Sequence, residues 1–302
     1  MAARHLTHVL CLIANPAAPG LSEDLVARVR KAVGKDGEPV WLAPGIAAEF
    51  PVTLGPGGPG AIERRARDAL DGHEIDVAIV PSAGRAKKLL IADMDSTIIQ
   101  QECLDELADF AGIRARISVI TRRAMLGELP FEDALRQRVA LLRGVPVSAI
   151  EQVLADRIAI TPGARILVQT MRAKGAFTVL VSGGFRAFTG PVAKAVGFDE
   201  EFANDLVVDG EVIAGRVVEP VRGRKGKLQA LEELSARLRI PREAALAVGD
   251  GANDIAMIEA AGMGVAYHAK PAVAAAADVR IEHGDLTALL YLQGYRAEDF
   301  VN

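Results

Sequence analysis

Four short, almost wholly apolar runs constrain this chain most: residues 89–92, 178–181, 244–248 and 264–266. None shows the polar–apolar alternation of a half-exposed strand, so each reads as a strand buried on both faces. Helical periodicity fills the gaps between them, as on Ile166, Leu167, Thr170 and Met171 before Gly175. Strands alternating with helices imply an α/β fold, a Rossmann-like parallel sheet covered on both sides. Such sheets bind ligands beyond the carboxyl ends of their strands, so the residues that follow each run are where chemistry is expected.

Those residues are polar and acidic. Asp93-Met94-Asp95-Ser96-Thr97 follows the first run, and alternation along a strand would turn Asp93 and Asp95 to one site. The pair could bind metal, attack phosphorus or move protons; an acidic turn capping the next helix is the alternative. Gly249-Asp250-Gly251-Ala252-Asn253-Asp254 follows the third run and precedes a helix patterned on Ile255, Ile258 and Ala261. Two acidic strand ends with few nitrogen or sulfur donors suit Mg²⁺ better than zinc. Ser182-Gly183-Gly184 adds a hydroxyl and glycine amides, suited to phosphate oxygens or to a plain turn. Lys225, in Arg224-Lys225-Gly226-Lys227-Leu228, opens a helix patterned on Leu228, Leu231 and Leu238, where a cation opposes the helix dipole. Anion binding would explain it, as would a solvated basic run.

Two further segments frame this unit. Between about 102 and 160 the strand-like runs vanish and helices dominate, on Leu104, Leu107, Ala108 and Ala111 and again on Leu135, Val139 and Leu142, which reads as a small helical cap. The stretch 202–218, with Asp209-Gly210 at its turn, reads as a β-hairpin. Residues 1–84 give the order βαββαβ, a ferredoxin-like module, and the α/β unit occupies 85–302. In the module the first strand spans 8–14, Ser22 caps the first helix, and 55–60 form a Gly/Pro turn. Every candidate catalytic group lies beyond residue 85, so the second unit is expected to fold and work without the first.

Composition narrows the function classes. The chain of 302 residues carries 35 Lys+Arg against 39 Asp+Glu, a net charge of −4 that gives no basic excess for nucleic acid. Cys11 and Cys103 are far apart and form no metal-ligand cluster, the usage of a cytoplasmic protein with reduced thiols. The apolar run 9–14 after Arg4 is short and flanked by His5 and His8, so it reads as a strand and not as a leader peptide. No run of about twenty apolar residues suggests a membrane span.

Taken together and in this order, Asp93-Met94-Asp95-Ser96-Thr97, Ser182, Lys225 and Asp250 with Asp254 resemble the four motifs of the haloacid dehalogenase superfamily of phosphatases, over roughly residues 85–290. Finer likeness, in 93–102, 125–131, Arg136-Gln137-Arg138, Val181 to Phe185 and 249–257, is to its phosphoserine phosphatase family. The resemblance implies Mg²⁺-dependent hydrolysis of O-phospho-L-serine through an aspartyl phosphate, the last step of serine biosynthesis. It makes Asp93 the nucleophile and Asp95 the general acid and base. Mg²⁺ would rest on the Asp93 carboxylate, the Asp95 carbonyl and Asp250. Ser182, the Gly183 amide and Lys225 would hold phosphate, while Asn253 and Asp254 orient them, Asp254 by pairing with Lys225. Glu102 would meet the serine ammonium and Arg138 its carboxylate, against an apolar wall of Met125 and Phe131. On a helical wheel Arg138 lies beside the apolar stripe of Leu135, Val139 and Leu142, whereas Arg136 points away.

The N-terminal module resembles the ACT-like region of some bacterial members. The expected partner is a small-molecule substrate, with a homodimer as one possible assembly. Rival readings are a related phosphomonoesterase or phosphotransferase, for example on phosphohomoserine, and a non-catalytic amino-acid sensor.

Overall fold

The structure, a computed structural model, describes residues 7–34, 37–125, 128–223 and 225–301, and of Met125 the backbone only. The segment Leu126-Gly127, part of the family likeness, lies outside the described residues.

The first 81 residues build β1 (His8–Ala14), α1 (Glu23–Val33), β2 (Val40–Ala43), β3 (Ala47–Val52), α2 (Gly58–Leu70) and β4 (Ile75–Pro81). Their antiparallel sheet has the order β2-β3-β1-β4, the ferredoxin-like arrangement. Ser22 caps α1, its hydroxyl accepting from the Leu25 amide at 3.2 Å. Alternation along β1 decides which face each residue serves. Leu10, Leu12 and Ala14 pack under α1 and α2, whereas Val9, Cys11 and Ile13 face the other way.

The second sheet is parallel throughout, in the order β12-β11-β10-β5-β6-β7. Its strands are β5 (Leu89–Asp93), β6 (Phe177–Phe185), β7 (Glu200–Asn204), β10 (Ala245–Gly249), β11 (Met263–Tyr267) and β12 (Val279–Ile281). Helices α7 (Ala164–Ala173), α8 (Arg186–Val196), α9 (Gly226–Leu238), α10 (Ile255–Ala260), α11 (Pro271–Ala276) and α12 (Ala288–Leu292) complete it. Between β5 and α7 lie the cap helices α3 (Cys103–Phe110), α4 (Arg114–Met125), α5 (Phe131–Leu141) and α6 (Ser148–Asp156). The hairpin is narrower than the sequence suggested, β8 (Leu206–Asp209) and β9 (Val212–Val217). Residues 202–204 leave it and, with 200–201, form the sixth strand of the main sheet. What remains docks on the cap: Gly144 and Val147 donate to the Ile213 and Glu211 carbonyls at 2.9 Å each.

The two sheets do not stand apart. Val9, Cys11, Ile13, Ala47, Ala78 and Val80 belong to one apolar cluster with Leu286, Leu289, Leu290 and Leu292, so the module's second face is covered by the C-terminal segment around α12. At the rim, Arg85 donates both terminal nitrogens to the Glu49 carboxylate at 2.6 and 2.8 Å. Fully burying a Val or Ile side chain contributes about 1.5–3 kcal/mol, so Val9, Ile13 and Val80, with the smaller Cys11, Ala47 and Ala78 between them, tie the module to the α/β unit. This qualifies the expectation that the second unit is independent of the first. A chain beginning at Arg85 is expected to bind an apolar dye and to unfold at lower urea than the full chain. An unchanged midpoint with no dye binding would show that this face needs no cover.

Candidate active site

The site grows from the end of β5. Asp93 is the last residue of that strand, buried, and its Oδ1 accepts from the Met94 amide at 2.8 Å. The backbone then leaves the strand: Asp95 is extended, but Ser96 is left-handed at φ 55°, and the turn closes with the Ile99 amide on the Met94 carbonyl. Asp93 and Asp95 are thus brought together by a wide turn and not by strand alternation. Asp95 Oδ1 accepts from the Cys103 amide at 2.9 Å, at the start of α3, and Oδ2 accepts from the Ser182 hydroxyl at 3.2 Å.

Ser182 and Gly183 lie near the end of β6, next to β5 in the sheet. The Gly184 amide donates to Ser182 Oγ at 2.9 Å, and buried Asn204 donates to the Gly183 carbonyl at 3.0 Å. Gly183 leaves room for the cap. A Cβ there would stand 3.0 Å from the Phe131 ring. Phe131, Ser182, Gly183, Lys227 and Asn253 line one cleft, together with Phe202 and Arg222.

On the other side of β5, β10 delivers Gly249 and then Asp250. Gly249 is required by packing, since a Cβ would fall 2.3 Å from Asp254 Cγ. Asp254 is fully buried; its Oδ2 accepts from the Gly251 amide at 3.0 Å.

The lysine of this site is Lys227. Its ammonium lies 2.5 Å from Asp93 Oδ1 and 2.6 Å from Asp254 Oδ1, with all three groups buried. Lys225, which the sequence reading selected and paired with Asp254, sits at the N-cap of α9, exposed to solvent. The helix phase is the reason: Lys227, Ala230, Leu231 and Leu234 are buried at i, i+3, i+4 and i+7. That spacing was present in the sequence. Following Leu228, Leu231 and Leu238 instead put the stripe on the wrong residues and left Lys227 unassigned.

The cap residues gather over the same strand end. Glu102 is the N-cap of α3 and accepts from the Ser96 hydroxyl at 3.0 Å. Burial, then the Asp95 charge, pushes its carboxyl up to about 7. Arg138 on α5 is half-buried, and burial pulls its guanidinium down while Asp105, Glu102 and Asp95 pull it back up. Arg136 points to solvent and pairs with Glu219. Met125 ends α4, and its side chain lies outside the described residues.

Charge at the centre is unbalanced. Burial and then the Asp254 carboxylate push Asp93 well up, against the pull of Lys227; burial likewise raises Asp95 and Asp250. Burial alone would lower Lys227, but Asp254 and Asp93 outweigh it and hold it above its ordinary value. Asp93, Asp250 and Asp254 each offer an oxygen within 4.8 Å of the others. Three buried carboxylates close together, two of them on the Lys227 ammonium and all offering oxygen donors, form a cradle that fits a hard divalent cation.

These features define a phosphoryl-transfer class, and the sequence pattern of haloacid dehalogenase-like hydrolases matches residues 90–259. The chain belongs to that family. Among its relatives is the phosphoserine phosphatase SerB2 of Mycobacterium tuberculosis, 37% identical over 298 residues, which cover 95% of this chain and 71% of that protein. A haloacid dehalogenase family hydrolase from Salmonella enterica serovar Typhi superposes with a TM-score of 0.85 at 28% identity, over 95% of this chain and 98% of that one. A phospho-aspartyl intermediate analogue of a phosphoserine phosphatase superposes with a TM-score of 0.63 at 38% identity, over 68% of this chain and 98% of that one.

The two neighbouring lysines give a direct check. Removing one charged donor from a transition-state site costs about 10²–10³ in kcat. Lys227→Met should lose that much phosphatase activity, whereas Lys225→Met should keep wild-type activity. The reverse pattern in steady-state assays would return the role to Lys225.

Proposed function

We infer that this chain hydrolyses O-phospho-L-serine to L-serine and phosphate, closing serine biosynthesis. One observation carries the reading. Around a single strand end, two carboxylates of unlike environment, Asp93 and Asp95, share space with a basic and an acidic cap residue, Arg138 and Glu102, electrostatically linked to Asp95. A phosphorylated amino acid needs that set: machinery for the phosphate, an anion for its ammonium and a cation for its carboxylate. The phosphoserine phosphatases among its relatives support the same substrate.

In this reading Asp93 attacks phosphorus, the bond to the serine oxygen breaks, and Asp95 gives its proton to that leaving oxygen. Asp95, now a carboxylate, takes a proton from the water that attacks the phosphoenzyme, which releases phosphate and restores both groups. The raised Asp95 carboxyl suits a residue that must hold a proton before it gives one. Its bonds to the Cys103 amide and Ser182 hydroxyl keep it aimed. Ser182, the Gly183 amide and Lys227 meet the phosphate oxygens, with Asn253 beside them. The Asp93 and Asp250 carboxylates and the Asp95 carbonyl would hold Mg²⁺, which when bound would supply neutralising charge to the transferring group. Phe131 lines the cleft from the cap side.

We also read the N-terminal module as ACT-like, on its βαββαβ order. A cytoplasmic setting suits the two free thiols, and among the described residues no helix is long and apolar enough to cross a membrane.

Phosphate release from a panel of phosphorylated amino acids, with and without Mg²⁺, tests the reading. Phosphoserine should lead the panel and chelation should stop turnover. Truncating one partner of a buried charge interaction costs about 2–5 kcal/mol. Glu102→Gln and Arg138→Ala should therefore lower kcat/KM for phosphoserine by tens- to thousands-fold (about 1.4 kcal/mol per tenfold) and leave p-nitrophenyl phosphate hydrolysis within a few-fold of wild type. Equal losses on both substrates would show that these residues hold the cap and do not read the amino acid. A preference for phosphohomoserine would move the substrate assignment.

A further inference from the structure

On β4, alternation sends Ile75 and Val77 toward the module's own helices and Asp76, Ala78 and Val80 toward the α/β unit. Asp76 is thus a carboxylate on a face that is otherwise apolar, and it is fully buried. Such a charge is tolerated only when hydrogen-bonded. Its partners are three consecutive amides in the loop after β12: Glu282 donates to Oδ1 at 2.7 Å, Gly284 to Oδ2 at 2.7 Å, and His283 to both at 3.2 and 3.3 Å. Gly284 packs closely on this carboxylate: a Cβ there would stand 3.1 Å from Asp76 Oδ2. From β1's end, Asn15 donates to the His283 carbonyl at 2.9 Å, so the module grips this loop twice.

The loop leads to the metal cradle. The Gly284 carbonyl faces His268 Nε2 at 2.9 Å, and since a carbonyl only accepts, that nitrogen carries the proton. His268 follows β11, with its amide on the Ile281 carbonyl and its backbone left-handed at φ 44°, a conformation a non-glycine residue holds only where neighbours fix it. Two residues on, the Lys270 amide donates to the Asp250 carbonyl at 3.2 Å, and Lys270 Nζ stands 3.8 Å from Asp250 Oδ2. A path of hydrogen bonds, carried along the backbone from His268 to Lys270, therefore joins β4 of the module to Asp250.

We propose that Asp76 is a positioning residue for the metal cradle, acting through the 282–284 loop, His268 and Lys270 on Asp250, so that the N-terminal module forms part of the scaffold of the active site. The proposal rests on the metal role given to Asp250 above. Partners behind a metal ligand set its orientation, and losing one weakens metal binding by about 10- to 100-fold. In Asp76→Asn one carboxylate oxygen becomes an amide that turns a donor toward the backbone amides, and the loop loses part of its anchor.

Mn²⁺ binding to the full chain, read by the paramagnetic resonance signal of the free ion, tests this without turnover. Asp76→Asn should raise the Mn²⁺ Kd about tenfold, with kcat recovering at high Mg²⁺. Val77→Ala, a cavity on the same strand but facing the module's own core, should lower Tm and leave that Kd unchanged. If Asp76→Asn does not fold, His268 carries the test: His268→Ala should weaken Mn²⁺ binding, and His268→Gln, which keeps a donor, should restore it in part. A wild-type Kd in folded Asp76→Asn, equal losses in Val77→Ala, or wild-type Kd values in both His268 variants would overturn the proposal while phosphoserine turnover by the wild type leaves the functional reading standing. A wild-type chain that binds no Mn²⁺ would overturn both.

Discussion

The contact on which this site depends is the Lys227 ammonium, buried between Asp93 and Asp254. Carboxylates gathered at one strand end repel one another and resist ionisation when buried. One internal cation makes part of that charge tolerable and leaves an excess for a divalent ion. It also explains the length of the apparatus. The ammonium can reach both acids only if β5 and β10 are neighbours and α9 starts beside them, which the order β12-β11-β10-β5-β6-β7 provides. Removing a partner from such a buried set is costlier than its net contribution suggests, because the charge left behind stays out of water.

From that contact the rest of the fold can be followed outward. The wide turn after Asp93 brings two acids to one site and still gives them different surroundings. Asp93 faces the lysine and the metal cradle, while Asp95 is held by the start of the cap and by Ser182. The cap is therefore anchored to Asp95 itself, through the Cys103 amide. On the far side, the ferredoxin-like sheet is buried on both faces, one beneath its own helices and one against α12. The module supports the α/β unit through a shared core, a property that its position before the catalytic residues does not reveal.

Much of this was legible in the sequence. The buried parallel strands announced themselves as apolar runs, and their polar ends marked Asp93, Asp95, Ser182 and Asp250. The less legible parts have specific causes. Lys225 and Lys227 flank one glycine and differ only in helix phase, so the choice depended on reading Ala230, Leu231 and Leu234 as the buried stripe. Residues 202–204 looked like hairpin because Glu200 and Glu201 interrupt the apolar pattern of a central strand, and β7 tolerates them because it is the sheet edge. β12 has only three residues, too few for any period. Asp76 stood in the sequence as an interruption of an apolar strand, but its partners are more than two hundred residues away. Local pattern can flag such a residue without saying what it holds.

In the proposed reaction Asp93 carries the phosphoryl group between two half-reactions. Rapid quenching during phosphoserine turnover, followed by borohydride reduction and peptide mass spectrometry, tests it most directly, because an aspartyl phosphate is reduced to homoserine where it formed. Homoserine is expected at position 93, absent without substrate and absent in Asp93→Asn. Reduction at Asp95, Asp250 or Asp254, or turnover with no acyl phosphate at any residue, would contradict it.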